Sequence, residues 1–240
     1  MGVSVLASCI PSSTLIVRAP RIDLAWDMIA RFGPRHRALP PAFFSDWAKV
    51  ALDESKHFSL LNARLQALGT IYGSLPVHAG LWESATDTAH SLRARLAIIH
   101  LVHEARGLDV NPQTIARFAR QGDQDSVRVL EVIHAGACLA GGGPAVAHSY
   151  EDEVTHVTAG HRWFTWCCKR DSVEPVPTFR TEVRKYWRGD IKPPFNAEDR
   201  CVLCKYRHVL LPILAQRACR DDEGFLREHQ TRRLGTSYII

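Results

Sequence analysis

The chain has 240 residues, of which 46% are apolar and 23% charged. That is enough apolar material for a sizeable core and too ordinary a charge content for global disorder. A net charge of +5 permits an anionic partner such as RNA without requiring one. No run approaches the roughly 18 apolar residues a membrane-spanning helix needs. The seven cysteines are odd in number and irregularly spaced, and Cys167 and Cys168 are adjacent. That pattern suits a disulfide framework poorly and points to a reducing, cytoplasmic compartment.

The periodicity along the chain is helical. RIDLAWDMIARFG (21–33) predicts a short helix with Pro20 at its first turn and Gly33-Pro34 as its stop. From about Phe43 to Leu68 runs a long amphipathic helix with the stripe Trp47, Val50, Glu54, His57, Leu61, Leu65 and Leu68, ended by Gly69. A third helix is expected from about Leu81 to Arg106, with Gly107 as its stop, and then a short one opened by Asn111 and Pro112. A fourth long pattern begins near Asp123, breaks at Gly136, resumes near Tyr150 and ends near Lys169. TFRTEVRKYWRG (178–189) adds a further helix. Sustained alternation and hairpin signals are lacking, so the expected class is all-α, a helical bundle. Trp26, Trp163 and Trp166 are expected in its core.

Residues three apart on a helix share a face. In LDESKHFSLL (52–61) this places Glu54 and His57 on the leucine stripe, and EDEVTHVTAG (151–160) repeats the spacing with Glu153 and His156. Glu104 has Ala97, His100, Leu101 and Leu108 at helical offsets, so it too points inward. Three carboxylates and two imidazoles in an apolar interior cost several kcal/mol per unpaired ion. The inward positions around them offer no arginine in this reading. Divalent cations would supply charge and coordination together, and a carboxylate–imidazole set without thiolate favours iron or manganese over structural zinc. Two Glu-x-x-His helices with single glutamates on the other two form the ligand set of ferritin-like di-metal bundles.

The segments IDLAWDMIARF, DWAKVALDESKHFSLLNARLQALGTIYGSLPVHAGLWE, HEARGLD, DEVTHVTAGHRWF and KPPFN together resemble the ferritin-like family known as domain of unknown function 455. The resemblance covers roughly residues 21–200. It implies a four-helix bundle binding two iron ions, with manganese as the alternative. Carried over, the metal ligands would be Glu54, His57, Glu104, Glu153 and His156. Separately, His100 lies one turn before Glu104 and reads first as a core histidine, with the orienting of a ligand as the alternative. The family carries no established activity; the expected di-metal site itself leads to the expectation of a dioxygen-activating oxidoreductase acting on a small molecule or an RNA with a redox partner, and iron storage is the less favoured reading. Substrate and oligomeric state stay open.

The chain departs from the family pattern in three places. The helix-1 glutamate is missing; Arg18 or a neighbour stands there, and Asp23 and Asp27 are the acids that remain. Residues 136–151 read as an insertion, after which Ser149 could cap a restarted helix. The expected division is therefore a divergent segment 1–19, a helical domain 20–200 and a divergent tail 201–240, where Cys201-x-x-Cys204 is a weak zinc signal. These departures support the alternative of a non-catalytic bundle, or an isoform, with an incomplete metal site.

Overall fold

A computed structural model describes residues 12–74, 79–135 and 152–188, and their side chains except at 12–18, 135 and 152–154. Residues 136–151, expected as an insertion, and 201–240, expected as a divergent tail, lie outside these residues. All regular structure among the described residues is helical, as the sequence periodicity predicts. No helix among them is long and apolar enough to cross a membrane.

Helix α1 (Ser12–Asp27) runs into a π-helical turn, Met28–Phe32, and stops at Gly33. It begins nine residues earlier than expected and carries Pro20 inside it. A proline within a helix costs about 3 kcal/mol. Downstream, Leu24, Ala25, Met28 and Phe32 are buried, and full burial of one large apolar side chain returns roughly 1.5–3 kcal/mol. Tertiary packing outweighs the local penalty. Trp26 departs from the expectation: it lies between the buried positions and is 52% exposed.

Helix α2 (Pro41–Ala67) matches the long amphipathic pattern and buries its stripe. It spans two apolar clusters. Trp47 and Val50 belong to the larger one, with Phe43, Ile98, Trp163 and Phe164. Leu61 and Leu65 belong to the smaller one, with Phe118, Leu130 and Ile133. Glu54 and His57 fall between the two, so the polar residues of the stripe occupy a gap along an otherwise apolar face.

The expected third helix begins close to its predicted start, but it is interrupted after Asp87 and does not end at Arg106. Helix α3 (Gly80–Asp87) stops before Ser91, whose hydroxyl caps α4 (Leu92–Arg95) by accepting from the Ala94 amide at 3.2 Å. From α4 the chain passes through a π-helical stretch, Leu96–His103, into α5 (Glu104–Arg120). Neither Gly107 nor Pro112 stops it. Glycine costs about 1 kcal/mol in a helix, less than burying Leu101, Ala105 and Leu108 around it returns. Asn111, expected as a cap, is a buried residue within the helix.

Helices α6 (Gln124–Ala135), α7 (Asp152–Arg170) and α8 (Pro175–Tyr186) follow the remaining patterns closely. Trp163 is buried and Trp166 packs at the edge of the core. Cys167 and Cys168 are free, buried thiols. Helix α1 lies along α2, and α7 packs against α2 and the π-helical stretch. At that second contact Gly160 touches the neighbouring backbone: a Cβ there would lie 2.4 Å from the His100 carbonyl oxygen.

Candidate metal centre

Four helices send polar side chains to the gap between the two apolar clusters. Glu54 comes from α2, Glu104 from the first residue of α5, His156 from α7 and Arg21 from α1. All four are buried. One oxygen of Glu54, one of Glu104 and one nitrogen of His156 lie within 4.8 Å of one another. A single metal ion could reach all three.

Helical periodicity accounts for each placement. Glu54 is one turn beyond Val50 on the inner face of α2. Glu104 follows the π-helical stretch, whose residues Leu96 through Leu101 are all buried, and Leu108 one turn later is buried as well. His156 precedes Val157 and Ala159 on the inner face of α7.

His156 Nδ1 is 3.5 Å from Glu54 Oε1, and its Nε2 is 3.6 Å from Asp53 Oδ2. These are ion-pair distances, too long for good hydrogen bonds, and neither ring nitrogen has a hydrogen-bond partner among the described residues. Burial alone would lower the His156 pKa; the carboxylates of Asp53, Glu54 and Glu104 outweigh it and raise it to about 10. The region is thus rich in negative charge and favours a cation at this ring.

His57 Nδ1 lies 3.6 Å from the other Glu54 oxygen, Oε2, and its ring centre is 6.1 Å from that of His156. It flanks the three-residue group from the α2 side. Glu153 lies in the first turn of α7, three residues before His156, and its side chain is outside the described residues. His100 is buried with its ring 4.1 Å from that of Trp47. Its Nε2 has no hydrogen-bond partner among the described residues.

Two residues of the site were not read from the sequence. Asp53 is 2% exposed, held by Lys49 at 2.7 Å and Lys56 at 3.1 Å. Despite burial, these contacts and His156 keep its carboxyl well below the usual range. Its offsets, three from Val50 and four before His57, were the available signal. The second is Arg21, and it corrects the expectation that no inward arginine exists. Its Nη1 bonds Glu104 Oε2 and lies 3.5 Å from Glu54 Oε1, and its Nη2 donates to the His103 carbonyl at 3.4 Å. Arg21 shares its face with Leu24, Ala25 and Met28, at offsets of three, four and seven, which marks it as inward. Asp23 and Asp27 do not replace the missing helix-1 acid. Asp23 is exposed, and Asp27 pairs with Arg31 and Arg95.

The fold and this cluster define an all-helical protein with a buried carboxylate–imidazole group able to hold a metal ion. The chain belongs to the family described as "Protein of unknown function (DUF455)", which it matches over residues 18–136 and 144–202. A protein of Haemophilus influenzae described as "Uncharacterized protein" is 37% identical over 182 residues, covering 75% of this chain and 58% of the relative. The chain therefore spans somewhat more than half the length of that relative. No solved structure matches it.

Proposed function

We propose that this chain is a ferritin-like, non-haem metal protein that binds iron, with manganese as the alternative, and acts as an oxidoreductase on a small-molecule or RNA substrate. The observation that carries the reading is the convergence of Glu54, Glu104 and His156, all buried, within 4.8 Å, with both His156 ring nitrogens lacking a hydrogen-bond partner among the described residues. The donor set fits the group: two hard carboxylates and an imidazole suit iron or manganese.

A bound redox-active ion would supply electrons for activating dioxygen. The protein's part is positional. Glu54 and Glu104 provide negative charge and His156 a nitrogen donor. Asp53, fixed by Lys49 and Lys56, faces the second ring nitrogen of His156 at 3.6 Å, the position of a carboxylate that backs a metal-bound histidine. Trp47, Phe43, Trp163 and Phe164 wall the larger apolar cluster and exclude water.

The test is metal content. Chain purified anaerobically and loaded with ferrous iron should retain metal through gel filtration, and Glu104→Ala or His156→Ala should lose most of it. A Glu104→Ala protein that holds as much metal as its parent would remove this reading. Arg21 favours a second one, a non-catalytic bundle whose buried acids are neutralised by an arginine. Under that reading the folded parent retains no iron.

A further inference from the structure

The three-residue group accounts for one cation. A second is already present: the guanidinium of Arg21, 7% exposed, sits against both glutamates from the α1 side. It bonds Glu104 Oε2, and the same nitrogen faces Glu54 Oε1 at 3.5 Å. Glu54 Oε1 is also the oxygen nearest His156 Nδ1. The two carboxylates are therefore shared between an imidazole on one side and a guanidinium on the other.

A guanidinium has five donors and no acceptor, and it stays charged at every accessible pH. It cannot ligate a metal. It can only compensate carboxylate charge and engage the oxygen lone pairs that two bridged ions would need. We infer that Arg21 is a resident cation of the centre, filling one of two positive positions, so that the chain takes up a single divalent ion between Glu54, Glu104 and His156 rather than a pair. The inference rests on the metal-binding reading above. It makes α1 the helix that sets nuclearity: a carboxylate at position 21 gives room and charge for two ions, and an arginine gives room for one. Two divalent ions beside the fixed guanidinium would repel it and each other at short range in a medium that screens weakly.

The experiment counts ions per chain. Parent, Arg21→Lys, Arg21→Gln and Arg21→Glu proteins are first checked for helical content and a cooperative melt. Each is then titrated anaerobically with ferrous iron and, separately, with manganous ion. Bound metal is measured by elemental analysis after desalting. Expected are one ion for the parent and for Arg21→Lys, one ion bound at least tenfold more tightly by Arg21→Gln, and two ions for Arg21→Glu. A parent holding two ions overturns the inference and leaves the metal reading intact. So does an Arg21→Gln protein with unchanged count and affinity. A parent that binds none while Arg21→Gln binds one also overturns it, because Arg21 would then exclude all metal rather than one of two ions. If no folded form binds either ion, the metal reading itself falls, and this inference with it. Should Arg21→Glu fail to fold, the parent count and the Arg21→Gln affinity decide.

Discussion

Arg95 and His156 are each 1% exposed, yet the buried polar regions they belong to are completed to different degrees. Arg95 donates through Nη1 to Asp27 at 2.5 Å, through Nε to the Thr88 hydroxyl at 3.1 Å and through Nη2 to the Ala85 carbonyl at 2.6 Å. Its guanidinium lies over the Phe32 ring, and Asp27 is further held by Arg31. The one acid is engaged by two arginines, and all three nitrogens of Arg95 are used. Around His156, by contrast, carboxylates crowd together, ring contacts stretch to 3.5 and 3.6 Å, and the ring has no hydrogen-bond partner among the described residues. A satisfied buried network behaves as structure. An acid-rich one whose imidazole makes only long ion-pair contacts is, on the proposal above, the place where a cation from outside could be held.

The largest expected effect separates the two regions. Arg95→Ala leaves Asp27, Thr88 and the Ala85 carbonyl short of a donor in the core, which should cost about 3–5 kcal/mol, the same with or without added metal. Glu104→Gln keeps an amide oxygen that can accept from Arg21, which Glu54 also neutralises, so its metal-free cost should be the smaller one and its main effect the loss of the extra protection that bound metal gives. Urea unfolding of both variants, with and without manganous ion, makes the comparison. It breaks if Arg95→Ala is mild, or if Glu104→Gln costs as much as Arg95→Ala in metal-free buffer.

Much of this difference could be read from the sequence, and its failures share one cause. Glu54, His57, Glu104 and His156 were found because each keeps step with apolar neighbours on its own helix, and the structure buries all four. Arg21 and Asp53 were missed, although they obey the same offsets. A cation beside a proline, and an acid next to a glutamate already placed inward, each had an ordinary surface reading. Single-helix periodicity says which way a side chain points but not what meets it from another helix, and the Arg21–Glu104 contact joins residues 83 apart. The boundaries failed for a related reason. Pro20, Gly107 and Pro112 are breakers by local rule, and packing across helices overrode each of them. The whole segment from Leu92 to Arg120 is one continuous run because its apolar face is needed by α7 and α8.

A second test sharpens the comparison within α7. His156 and His161 are five residues apart, and their titrations move in opposite directions. Carboxylates raise His156 to about 10. His161, 9% exposed and bonded to the Thr165 hydroxyl at 3.1 Å, is pushed down to about 4 by burial. An unfolded histidine titrates near 6.5. As pH falls below 6.5 the unfolded chain gains a proton at His161 that the folded chain refuses, so stability is lost between pH 6.5 and about 4, and His161 contributes no change above 6.5. The accumulated loss at pH 4 is about 3 kcal/mol, from roughly 1.36 kcal/mol per pKa unit. His161→Gln should remove this slope. Denaturant midpoints of parent and variant should therefore converge, or cross, as pH is lowered from 7 to 4. Parallel curves would mean that His161 is not held neutral by burial.

The smallest effect concerns the contact that brings the acid-rich region together. Gly160 lets α7 lie against the π-helical stretch so closely that an added methyl would meet the His100 carbonyl oxygen at 2.4 Å and its carbonyl carbon at 2.9 Å. Backbone atoms cannot rotate away as a side-chain tip can, so Gly160→Ala must push the two helices apart. Overpacking of this kind costs about 1–3 kcal/mol. The displacement falls between His156, one turn earlier on α7, and Glu104, one turn beyond His100, and so acts on the spacing of the three-residue group. The Arg95 network is bonded through Asp27, Thr88 and Ala85 and draws on no residue of α7. Gly160→Ala should therefore weaken metal retention by tenfold or more for a modest drop in melting temperature, while Arg95→Ala should do the reverse. Measuring metal affinity and melting temperature on both variants gives two ratios. Equal ratios would mean that the two buried regions respond as one body and that their difference in hydrogen bonding carries no functional meaning.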